Sequence, residues 1–487
     1  MNSSLRTILV VLDDREYTNE SISSIVGHRH YAEIIYRRQK LVDYIQQHLT
    51  TWTSQHFYHL QNSTHVAALR HTIESKDENT GILLLAGRAG IANYKLFTQL
   101  LERLPYAEER LANCFYHPMV FFFHQAHHLL EHWSQFQSQP IHLWDANWHD
   151  VQQIHTINIY NLSVQNEFIN FISGSTDARH FNQVNFDRYY YTKRSTDKKK
   201  MQAEFLFYTL TSERMRTWLV QPFEYIDEGN TASYKMMRYY LADVALQWVH
   251  NAFDIDTFQH FLERLFFFIS ERPQQSISKQ QSLDFAHTLF VTKLQKRLDA
   301  FLESQVGQNI NQLLMSSNPQ LNVQNLLQRF ERIYYKNEQL MASSYAVIGH
   351  GDPCFSNILY DQNRQLMKLI DPKGGTHLDE LWTHPIYDLC KISHSILGNY
   401  DFINNGLFNV SLTDSNEFSL SIQSNHMQSY QKTFTNMIAQ QKFNYTAIRI
   451  GEASLFLSMI PLHTDHPKKV IAFIITANRI LDEVTHV

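Results

Sequence analysis

The stretch "VIGHGDPCFSNILYD", Val347 to Asp361, followed by "KLIDPKG", Lys368 to Gly374, decides how this chain is read. An apolar run leads into a loop carrying His350, then Asp352, then Asn357 five residues further on, a spacing that lets both acidic and amide side chains face one cleft. "LMKLID" reads as a short strand that delivers Asp371 at its end, fourteen residues after Asn357. That separation is enough for a strand, a turn and a returning strand, so Asp371 can come back beside Asn357. Two side-chain oxygens then converge on a hard cation, which is what magnesium requires. A site that moves the terminal phosphoryl group of ATP onto a hydroxyl needs those oxygens. It also needs a carboxylate at the acceptor, a cation on the phosphates and a backbone cover over them.

Upstream, "YYYTKRSTDKKKMQAEFLFY" places a lysine, Lys193, on a strand and a glutamate, Glu204, in the helix that follows. Before it, "ISGSTDARHFNQV" sets Gly174 and Ser175, flanked by Ser173 and Thr176, between two strands, where a phosphate-covering loop belongs. "HGDPCFSNILYD" followed by "KLIDPKG" resembles the catalytic and metal-binding loops of the aminoglycoside phosphotransferase and choline kinase superfamily, relatives of the protein kinases. The resemblance implies an α+β bilobal protein-kinase-like (aminoglycoside phosphotransferase-like) fold that uses ATP and Mg2+. It makes Asp352 the catalytic base, His350 the loop-supporting histidine, and Asn357 and Asp371 the metal ligands. Lys193 would bind phosphate oxygens and be held by Glu204, with Gly174 and Ser175 over the nucleotide and the adenine against a hinge near Met237 to Tyr240. In "PIYDLCKISHSILGNYDF" the resemblance makes Asp388 a support of the catalytic loop through hydrogen bonds. "STDKKKMQAEFLFY", "DPKGG" and "GNYDF" look most like phosphotransferases encoded with bacterial capsule and surface-polysaccharide pathways, which favours a sugar or polysaccharide precursor as acceptor; choline, ethanolamine or an aminoglycoside stays open.

At 487 residues the chain should hold two or three folded units. Residues 1–160 alternate apolar runs with helical patterns, which argues for an α/β accessory domain. "RTILVVLDD", "GILLLAGRAG" and "WHDVQQIHTINIY" echo a sugar nucleotidyltransferase-like domain. The glycine-rich signature expected after its first strand is replaced by "DDREYTNES", so such a domain would be degenerate. Residues 161–240 read as a kinase-like N-lobe of strands, "FINFISGS" among them, with one helical insertion. Residues 241–487 read as a mainly helical C-lobe, broken by "RPQQSISKQQS", a loop or linker.

A formal net charge of -5 gives no general case for nucleic-acid binding, and Lys198 to Lys200 read as a solvated helix start. Three scattered cysteines, Cys114, Cys354 and Cys390, fit a reducing compartment, and no apolar run is long enough to span a bilayer. With no signal peptide legible at the N-terminus, a cytoplasmic protein acting on a small-molecule hydroxyl acceptor is expected; the oligomeric state is not legible. Asp14 to Thr18 resemble a haloacid-dehalogenase nucleophile motif in which Glu16 replaces the second aspartate, against a reading as surface-loop residues. His124, His128 and His132 could line one helix face as metal ligands, against neutral histidines beside a buried aromatic strand. Two further functions compete: a catalytically silent kinase-like binding module in surface-polysaccharide assembly, and a protein kinase, for which the expected activation segment after "IDPKGG" is missing.

Overall fold

The apolar run TILVVLD forms a strand, Thr7–Asp13, buried along both faces, as a central strand of a covered sheet must be. The computed structural model describes residues 6–49, 56–114, 117–144, 151–173, 182–424 and 427–485, and the chain divides into two units, Met1–Asp177 and Ala178–Val487.

In the first unit a six-stranded mixed sheet runs in the order Phe57–Leu60, Thr7–Asp13, Thr80–Ala86, Val120–Phe123, Arg110–Ala112, Val151–Gln153. Thr7–Asp13 is parallel to both its neighbours, whereas Thr80–Ala86 and Val120–Phe123 pair antiparallel. Asp14, just past the first strand, is buried rather than a surface-loop residue: His59 Nε2 lies 2.9 Å from one of its oxygens and Ala32 N donates to the other at 3.0 Å. Glu16 is occupied by Arg88 at 2.5 Å and His142 at 3.1 Å. His128 opens a single helical turn, His128–Glu131, that His132 terminates, while His124 follows a strand, so the three histidines do not line one helix. Burial first, then neighbouring cations, lower the pKa of His124 and His132, as expected for neutral rings beside the aromatic strand.

The segment "FINFIS", expected as a strand of the second unit, is a helix, Gln165–Ser173, and belongs to the first. Its buried Phe168, Ile169 and Phe171 follow helical spacing, and Phe171 stacks on Tyr36 with ring centroids 4.3 Å apart. Short apolar runs fit either period, and packing decided this one.

The second unit opens with a four-stranded antiparallel sheet in the order Asn182–Phe186, Tyr190–Ser195, Thr231–Met237, Pro222–Glu228. Helix Lys198–Leu210 starts where the Asp197 side chain accepts from Lys200 N, with the lysine run in its first turn. It buries Met201, Glu204 and Phe207, spaced three apart on one face, and Met201 packs against Ala232 and Tyr234 of the sheet. From Val244 onward helices dominate around one apolar core. The tract "RPQQSISKQQS" is not a linker. Gln274–Ser276 pairs with Tyr345–Ile348, and Ser278 with Gln281 forms a capping box that starts helix Lys279–His287. No helix of the described residues is long and apolar enough to cross a membrane.

Candidate active site

Strand alternation aims Lys193 inward: Lys193 and Ser195 are buried while Arg194 between them is exposed. Register pairs Lys193 with Tyr234 on the neighbouring strand, so both side chains reach the helix that covers this face. Lys193 Nζ lies 2.7 Å from Glu204 Oε2, and the Tyr234 hydroxyl donates to the same oxygen at 3.0 Å. Lys193 Nζ also lies 2.8 Å from Asp371 Oδ1. Burial works against the ammonium, but Asp371 and Glu204 outweigh it and raise the Lys193 pKa, so the lysine stays charged.

Tyr345–Ile348 leads into the loop, and Ile358–Asp361 pairs antiparallel with Leu366–Leu369 beyond it. Because Ile358 pairs with Leu369, Asn357 and Ile370 stand opposite each other, and Ile370 N donates to Asn357 O at 3.0 Å. Asp371 follows at once, in the left-handed region with φ 58°, a conformation that Asp tolerates better than most residues. The Asn357 side-chain nitrogen donates to Asp352 O at 2.9 Å, fixing the loop between them. Phe355, fully buried, anchors the same loop against Trp248 and Phe261, at centroid distances of 5.6 and 5.7 Å.

Asp388, fully buried at the start of helix Tyr387–Ile396, accepts from His350 N at 3.1 Å and Gly351 N at 2.8 Å. Arg272 Nη1 donates to Asp388 at 3.0 Å, which gives the buried carboxylate a counter-charge. The loop-supporting contacts that the resemblance implies for Asp388 are therefore present. His350 is buried, its Nδ1 accepts from Asp352 N at 3.4 Å, and burial lowers its pKa.

Gly351 turns the loop at φ 80°, and a Cβ there would lie 2.6 Å from Lys373 Cβ. Gly351→Ala should therefore lower stability by ~1–2 kcal/mol through the left-handed backbone alone, with the clash in addition. Gly229→Ala is the control, since φ there is 53° and nothing stands within 4 Å of the added carbon. Urea denaturation should rank the Gly351 variant as the less stable of the two; equal losses would show that Lys373 moves aside freely.

The Asp352 side chain is 41% exposed and sits 2.9 Å from Lys391 Nζ. Desolvation would raise its pKa, but Lys391, with His350 and Lys293, holds it down at about 2. Sequence reasoning misses Lys391, three residues after Asp388 on the same helix, although that spacing puts both on one helix face. Gly174 and Ser175 lie outside the described residues. Among the other expected features, Met237 and Tyr239 are exposed, and the backbone at Tyr240 turns at φ 51°. Cys354 is buried and burial pushes its thiol up, which disfavours the thiolate.

No family model matches the sequence, and no curated protein matches it. Among solved structures the chain matches the apo form of a thermostable mutant of aminoglycoside phosphotransferase APH(4)-Ia. The match has 8% identity and a TM-score of 0.37, covering 65% of this chain and 98% of that one.

Proposed function

We propose that the second unit is an ATP- and Mg2+-dependent phosphotransferase with a bilobal kinase-like arrangement, moving the γ-phosphoryl group of ATP to a hydroxyl of a small molecule. The observation that carries this reading is the convergence of Lys193, Glu204 and Asp371 within 2.8 Å contacts, with Asn357 joined to Asp371 through the paired strands and to Asp352 through its side chain. Three separate segments of sequence supply these groups, and a binding scaffold has no electrostatic need for them in one place.

The donor set fits a hard cation. With its nitrogen engaged by Asp352 O, the Asn357 amide keeps its carbonyl oxygen for a metal, and the Asp371 side chain is 35% exposed. Bound there, magnesium would offset charge on the transferred phosphoryl group. Lys193, held by Glu204, would bind phosphate oxygens. Asp352, already ionised, would accept a hydrogen bond from the acceptor hydroxyl and so aim its oxygen. A carboxylate with a pKa of about 2 is a weak base toward a free hydroxyl, so orientation comes first and proton transfer follows as the oxygen loses electron density. The adenine would lie by the hinge at Met237 to Tyr240. A sugar or polysaccharide precursor is the acceptor favoured by the capsule-type sequence resemblance.

Magnesium with ATP should raise the melting temperature, since a ligand that binds only the native state stabilises it, by ~2.7 kcal/mol at a hundredfold excess over Kd. Asp371→Ala should remove the magnesium-dependent part of the rise. Absence of any shift at millimolar MgATP, in folded protein, would leave the silent binding module as the better reading.

A further inference from the structure

Around Asp352 the charges are not balanced. Asp352 is matched by Lys391 at 2.9 Å, and two more lysines gather on Tyr387, a residue of the same helix as Lys391. Lys293 Nζ lies 3.3 Å from the Tyr387 hydroxyl and 5.9 Å from the ring centroid, and Lys373 Nζ lies 5.4 Å from the same centroid. Tyr387 is buried and belongs to the helix that carries Lys391. No carboxylate among the described residues forms an ion pair with Lys293 or Lys373. The other end of the site has the opposite sign, with Glu204 and Asp371 sharing Lys193.

The chain is shaped to hold this cluster. Thr288–Thr292 is a π-helical turn, a form that is rare and concentrated at functional sites, and helix Lys293–Glu303 begins directly after it. Phe290 of that turn packs on Tyr387 with centroids 5.8 Å apart, and Ser454 Oγ donates to Phe290 O at 2.6 Å. Lys373 is fixed by its backbone, whose N–H donates to His350 O at 2.8 Å. Lys293 is half-buried and Lys373 exposed, and ammonium groups gathered this closely without an ion-paired carboxylate repel one another, a repulsion that a bound anion would relieve.

We propose that the acceptor is itself an anion, a hydroxyl compound bearing a phosphate or carboxylate group that Lys293 and Lys373 hold while Asp352 aims the hydroxyl. The word acceptor rests on the phosphotransferase reading above; the anion site rests on the lysines alone. Burial, with Lys373, Lys391 and Arg297 close by, brings the Lys293 ammonium down to a pKa of about 8, which an approaching anion would reverse.

The test uses the full chain and matched probes: glycerol against glycerol phosphate, and a free hexose against the corresponding hexose phosphate and hexuronate. Each is titrated by calorimetry with and without the magnesium complex of a non-hydrolysable ATP analogue. Charged probes should bind at least ~tenfold tighter than their neutral partners, and Lys293→Gln should remove ~tenfold or more of that preference, the size of one charge-assisted hydrogen bond. The exposed Lys373→Gln should do likewise and serves if the Lys293 variant does not fold. Neither variant should weaken the nucleotide analogue comparably. Charged probes that bind no better than neutral ones would overturn the proposal while nucleotide binding kept the phosphotransferase reading intact. Lysine variants that weaken the nucleotide analogue as much as the probe would also overturn it, by giving the lysines to the donor phosphates. Lysine-dependent binding of charged probes by a protein that binds no nucleotide would keep the anion site and discard the phosphotransferase.

Discussion

Asp352→Asn should lower turnover by roughly two to four orders of magnitude, the range for losing a positioned general base, while MgATP affinity stays near that of the parent. The substitution keeps side-chain size and removes the charge that aims the acceptor. The nucleotide, in this account, is held by Lys193 and by the cation on Asn357 and Asp371, none of which touches the Asp352 carboxylate. Lys391 then loses its partner, so the variant site gains positive charge, and the affinity for an anionic acceptor should not fall with the rate. A pure kcat loss with KM unchanged or lower is the expected pattern in steady-state kinetics. Comparable losses in kcat and in MgATP affinity would mean that Asp352 serves the nucleotide.

Arg272→Ala should destabilise the fold more than either glycine substitution or any change at the site lysines, by ~3–5 kcal/mol, because it leaves a fully buried carboxylate without its cation. Both side chains are almost entirely out of solvent, at 2% exposure for Arg272 and 0% for Asp388. Arg272 also donates to Ile269 O and Pro385 O, so the guanidinium links the end of helix Ile255–Ser270 to the start of Tyr387–Ile396. Replacing both charges together, Arg272→Met with Asp388→Asn, should recover part of the loss, because the asymmetric penalty is gone. Urea denaturation of the parent, the single variant and the double variant measures it. A loss below ~1 kcal/mol for the single variant would show that water reaches Asp388 and that the pair is not the anchor of the loop.

The parts of the site that are legible in the sequence are those set by local geometry. Asn357 and Asp371 are brought together by a hairpin whose length can be counted, and Lys193 meets Glu204 through one strand, one turn and two turns of helix. Asp388 is legible through family resemblance, and its two backbone contacts are in place. Lys293 and Arg272 are not, because each reaches the start of helix Tyr387–Ile396 from a distant segment by tertiary packing, and periodicity says nothing about which helix meets which; Lys391 shares a helix face with Asp388, but its pairing with Asp352 is likewise set by packing. The same limit explains "FINFIS" and "RPQQSISKQQS". Neighbours in space turned the first into a helix and recruited part of the second into a sheet, overriding weak local preferences. Glu16 and Asp14, which read as a motif or as loop surface, are held by Arg88 and by His59 in contacts of the first unit that no spacing rule announces.

Transfer of label from γ-labelled ATP to an acceptor tests the central claim most directly. The full chain is incubated with magnesium, labelled ATP and a panel of sugars, glycerol derivatives and amino alcohols in neutral and charged forms, and the products are separated. The account predicts label on a hydroxyl compound, with magnesium required and the charged members of the panel preferred, and no transfer above background by Asp371→Ala. Label that stays on ATP with every member of the panel, in protein that binds MgATP, would contradict it and leave the second unit a nucleotide-binding module without phosphotransfer.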